Sequence, residues 1–125
     1  MKNKKVLIVD DEADFGFLMK EYFSKKDCEV FVANSIATGL GLLQQVRPDY
    51  LLLDNNLPDG FGWSKTEFIV ANYPNTKLIL ISAIEVPTTN SPSFRILYKP
   101  MLAGELNKIF VWFFELSQVF LQQID

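Results

Sequence analysis

Six residues able to do chemistry stand directly after short apolar runs. Asp10, Asp11 and Glu12 follow Val6–Val9, Asp54 follows Tyr50–Leu53, Ser82 closes the run Leu78–Ile81, and Lys99 follows Phe94–Tyr98. Singly, each is ordinary loop chemistry, since turns are polar anyway. As a set they mean more. Carboxylates brought together repel, and at least one pKa rises unless a cation lies among them. A hard divalent ion resolves that conflict; Mg²⁺ takes one or two carboxylates along with waters and phosphate oxygens. Lysine is a point charge suited to a phosphoryl oxygen, and a serine hydroxyl can hydrogen-bond another. With a carboxylate as nucleophile, these are the parts of a phosphoryl-transfer site.

The set works only if the chain brings it together. Val6–Val9, Val30–Ala33, Tyr50–Leu53, Leu78–Ile81 and Phe94–Tyr98 are strand-sized, and most read as the continuous apolar runs of strands covered on both faces. Amphipathic stretches lie between them. Phe15, Leu18, Met19 and Tyr22 follow the i, i+3, i+4, i+7 rule of a helix face. Ser35 can cap a second helix whose Ile36, Leu40 and Leu43 share a side, with Gly39 and Gly41 weakening it. A third spans about Gly62–Tyr73, after a Pro-Asp-Gly turn and before Pro74, and a last one spans Leu102–Leu121 after Pro100. This β-α-β-α rhythm predicts an α/β fold with right-handed crossovers and one parallel sheet. All strand C-termini then share one edge, where ligands bind. Ile84–Ser93 breaks the rhythm: Pro87, Pro92 and the pair Thr88–Thr89 argue against a regular fourth helix.

Composition narrows the function. At 125 residues the chain is one domain, large enough for a core of its own. There is no histidine, which removes a Ser-His-Asp triad and any histidine metal site. A single cysteine, Cys28, allows no internal disulfide and fits a reducing, cytoplasmic setting. The net charge is −3, with no basic run beyond Met1–Lys5, which argues against direct nucleic-acid binding. No apolar run approaches the roughly 18–20 residues that span a bilayer.

The chain resembles the receiver domains of bacterial two-component response regulators. The residues that carry the resemblance are Val6-Leu-Ile-Val-Asp-Asp-Glu12, Leu51-Leu-Leu-Asp-Asn-Asn-Leu-Pro-Asp-Gly-Phe-Gly62, Leu80-Ile-Ser-Ala83 and Lys99-Pro100, and the match covers essentially all of 1–125. The resemblance implies a flavodoxin-like, three-layer doubly wound fold with five parallel strands in the order 2-1-3-4-5. It implies that Asp54 is the phosphoacceptor, and that Asp11, Asp54 and the backbone carbonyl of Asn56 hold Mg²⁺, with Asp10 supporting through water. Ser82 and Lys99 would contact phosphoryl oxygens, and Pro58 and Gly62 would shape the loop after Asp54. The implied donor is a histidine kinase or phosphotransfer protein, and the implied output is a partner or a further domain in a longer chain.

Two departures stand out. Ser82 and Lys99 are several residues closer than is usual in the family, with the shortfall in the fourth-helix region. The aromatic switch position, third before the lysine, is Ile96; Tyr98 should share its face by strand alternation. The last helix is apolar all round at Ile109–Phe114 and continues so through Val119–Leu121. That fits either deeper burial or a homodimer surface over Ile109–Leu121. Two other functions follow from these features. One is a non-switching pseudo-receiver, acting as a dimerisation or interaction module. The other, an aspartate-nucleophile phosphatase, is the weaker: Asp54-Asn55-Asn56 lacks a second aspartate two positions on as general acid, and 125 residues leave no room for a cap domain.

Overall fold

The computed structural model describes residues 3–83 and 93–99. The expectations for Ile84–Pro92 and for the last helix, Leu102–Leu121, lie outside the described residues. Five strands form the main sheet: β1 (Lys5–Val9), β2 (Glu29–Ala33), β3 (Tyr50–Asp54), β6 (Lys77–Ser82) and β7 (Phe94–Tyr98). Their order is β2-β1-β3-β6-β7 and every pairing is parallel. This is the 2-1-3-4-5 order of a doubly wound fold, because β4 (Asn56–Leu57) and β5 (Gly60–Phe61) form a separate antiparallel hairpin. The sequence reading took that hairpin as a plain Pro-Asp-Gly turn.

The apolar runs of β1, β3 and β6 are buried on both faces, as their composition dictates; Val30–Ala33, in the edge strand β2, is not, and Val32 is 43% exposed. Alternate residues of the strands feed two cores. Val6, Ile8, Leu52, Ile79, Ile81 and Leu97 meet Phe15, Met19 and Phe23 of α1 (Ala13–Ser24). Leu7, Val9, Leu51, Leu53, Leu78 and Leu80 meet α2 (Ile36–Val46) and, through Ile69, α3 (Thr66–Asn72). Ile96 and Phe94 are half-buried against this second core, so Ile96 is part of the apolar layer.

Two helix details correct the sequence reading. Leu18, placed on the apolar face of α1, is 57% exposed, while Phe23 is buried; the buried stripe is Phe15, Gly16, Met19 and Phe23, turned one position from the predicted one. The stretch Gly62–Tyr73 is not one helix. It opens as a 3-10 turn over Gly62–Lys65 and becomes α3 only at Thr66. Ser35 caps α2 as expected, its hydroxyl accepting the Thr38 N–H at 3.1 Å. Gly39 does more than weaken that helix: a Cβ there would stand 2.8 Å from a Val9 methyl, so the glycine lets α2 lie close on β1.

Candidate functional site

The ends of β1, β3, β6 and β7 meet at one rim. Asp54 is the last residue of β3, the central strand, and is 5% exposed. Asp10 follows β1, where its N–H donates to the Ala33 carbonyl at 2.9 Å. Its side chain is fully buried; Oδ1 accepts the Glu12 N–H at 2.8 Å, and Oδ2 lies 2.6 Å from Lys99 Nζ. Asp11 is exposed at the mouth. One carboxylate oxygen from each of Asp10, Asp11 and Asp54 lies within 4.8 Å of the others. Ser82 is buried at the end of β6, paired with Tyr98, and its carbonyl accepts the Lys99 N–H at 2.8 Å. The side chains of Asp10, Asp11, Asp54 and Lys99 therefore meet, and Ser82 stands beside Lys99 through its backbone carbonyl.

Lys99 is the electrostatic centre. Its ammonium is 3.8 Å from Asp54 Oδ1 and donates to Glu12 Oε1 at 2.8 Å. It also sits 4.6 Å from the centroid of the Phe15 ring, a cation–π arrangement. Burial pulls the ammonium pKa down, but hydrogen bonds to Asp10 and Glu12 and the charges of Asp10 and Asp54 outweigh that and raise it. One lysine does not balance the cluster. Burial, then the Asp10 charge, push the Asp54 carboxyl up to about 6; Lys99 and the Asn55 N–H pull the other way. The surplus negative charge, presented as oxygen donors on three converging residues, is what a hard divalent cation requires. An open groove of about 320 Å³ borders the cluster, lined in part by Asp11, Glu12, Phe17, Val32 and Asn34.

The turn after Asp54 is built by close approach. The Gly62 N–H donates to the Asn55 carbonyl at 2.8 Å, and a Cβ on Gly62 would collide with the Asp54 carbonyl oxygen. Trp63 donates its backbone N–H to Asn55 Oδ1 at 3.2 Å and its indole N–H to the Leu53 carbonyl at 3.2 Å. Asn56 follows in β4, two residues beyond Asp54. Two contacts of Lys99 were not foreseen from the sequence. Glu12 was read only as part of an acidic run, and nothing in its type distinguishes a Lys99 partner from a helix cap. Phe15 was assigned to the core, which it also joins.

The sequence model of the family described as "Response regulator receiver domain" matches residues 6–108. The chain belongs to that family. Relatives of this receiver domain include the sporulation initiation phosphotransferase F of Bacillus subtilis, 33% identical over 66% of this chain and 67% of that protein. The response regulator protein PilR of Pseudomonas aeruginosa is 28% identical over 87% of this chain, which spans only 26% of PilR. Among solved structures, a CheY-like receiver domain from Methanospirillum hungatei is similar with a TM-score of 0.80 at 20% identity, covering 94% of this chain and 98% of that one. The signal receiver domain of a Vibrio parahaemolyticus LuxO repressor protein gives 0.75 at 20%, covering 98% and 96%. These structures share the fold. Among the described residues, no helix is long and apolar enough to cross a membrane.

Proposed function

We propose that this receiver domain accepts a phosphoryl group on Asp54 and signals through the change that follows. The observation that carries the reading is the buried Asp54 carboxylate within 3.8 Å of the Lys99 ammonium, beside two further carboxylates. An Asp54 carboxylate oxygen attacks the phosphorus of a phosphohistidine or a small acyl phosphate. A P–O bond to Asp54 forms as the P–N or P–O bond to the donor breaks, and the donor leaves with that electron pair. Lys99 neutralises charge on the equatorial oxygens. The Ser82 hydroxyl hydrogen-bonds one of them.

Asp11, Asp54 and the Asn56 backbone carbonyl would hold Mg²⁺, with Asp10 behind them. The ion, when bound, supplies charge neutralisation at the phosphoryl oxygens. A histidine kinase or phosphotransfer protein would donate, in the cytoplasm, and a partner or further domain would read the product. A relative named a phosphotransferase and another named a response regulator protein support this reading.

Intact-mass measurement after incubation with acetyl phosphate and Mg²⁺ tests it. One added phosphoryl group is expected in the wild type and none in Asp54→Ala. An unmodified wild type, or the same addition to the variant, rejects Asp54 as acceptor.

A further inference from the structure

A second clamp lies outside the acidic cluster. Asp59 sits at the tip of the β4–β5 hairpin, yet its carboxylate crosses to α2. Oδ1 accepts the Ile36 N–H at 2.8 Å and Oδ2 accepts the Ala37 N–H at 2.9 Å. A helix start leaves four backbone donors without intrahelical partners; Asp59 takes two and the Ser35 hydroxyl takes that of Thr38. The two backbone N–H groups hold the Asp59 carboxyl below the ordinary carboxylate range, so it is charged at neutral pH. Leu57 of the hairpin and Ile36 of α2 also belong to the same buried core. At its other end the hairpin is fastened to Asn55 by Gly62 and Trp63. Asn56 thus lies in a segment tied at its base to the end of β3 and at its tip to α2.

We propose that Asp59 is a positioning residue for the cation site: its two-point clasp on α2 holds the Asn56 backbone in register with Asp54, so the clasp and metal affinity strengthen together. The inference rests on the Mg²⁺ reading above. Coupling is reciprocal, so Mg²⁺ slows hydrogen exchange at the Ile36 and Ala37 amides.

Calorimetric Mg²⁺ titration of the full chain tests it, with urea unfolding recorded for each variant. Asp59→Ala should raise the Mg²⁺ Kd by about five-fold or more, while Ser35→Ala, which uncaps the same helix without touching the hairpin, should stay within about two-fold. Asp59→Asn keeps one acceptor without the charge and should fall between wild type and Asp59→Ala. An unchanged Kd in Asp59→Ala overturns the proposal. So does equal weakening by Ser35→Ala, which would reduce the clasp to helix stability, or by Asp59→Asn, which would reduce it to charge. A wild type that binds no Mg²⁺ sinks the metal reading and this inference together.

Discussion

The sheet carries a lysine–aspartate pair at each end, and the two are opposites. At one edge Lys4 Nζ lies 4.0 Å from Asp49 Oδ1, with both side chains more than 40% exposed. At the other, Lys99 Nζ lies 2.6 Å from Asp10 Oδ2, with side-chain exposures of 9% and 0%. The residue types are the same and the surroundings differ. Water and salt screen the exposed pair, which contributes roughly 0–1 kcal/mol. The buried pair has lost its water, so each charge depends on the other and on further partners. Asp49 is steadied instead by the Lys5 N–H, at 2.8 Å from its Oδ2. Burial therefore separates an incidental contact from one whose loss reorganises a site.

Single substitutions at the two ends can break that contrast. The largest effect is expected for Lys99→Ala, which leaves Asp10 and Asp54 buried without their cation and should lower urea stability by about 3 kcal/mol at pH 7.5. The loss should be smaller at pH 5, where Asp54 takes up a proton. A loss as small as that of a surface pair would erase the distinction. Next, Asp54→Asn should stabilise the metal-free protein. The Asp54 pKa is raised from 3.8 to about 6, so between those values the native state holds more protons than the unfolded chain. The contribution of Asp54 to stability therefore falls as pH rises through that window. The asparagine variant should gain about 1–2 kcal/mol at pH 7.5 and nothing near pH 4; a gain that does not vary with pH would contradict this origin. The smallest effect belongs to Lys4→Ala, expected within about 0.5 kcal/mol of wild type by the same denaturation.

The strands were legible because a run such as Tyr50–Leu53 has only one comfortable home, between two other strands and under helices on both faces. The rim followed from it, since parallel strands bring their ends to one side. Side-chain partners were less legible. The ion pair of Asp10 with Lys99 was not foreseen, because the sequence carries no signal for which carboxylate a lysine chooses. The rotation of α1 was missed because Leu18 and Phe23 are equally apolar, and only the sheet beneath decides which is covered. The hairpin was missed because strands of two residues are too short for alternation to show. Asp59 passed as a turn residue, since its partners lie 23 and 22 positions earlier.

Asp54 terminates the innermost strand, with β1 on one side and β6 on the other, whereas Lys99 hangs from the outermost one. The anion is thus flanked by a strand on each side, while its counter-charge follows a strand that is paired on one side among the described residues.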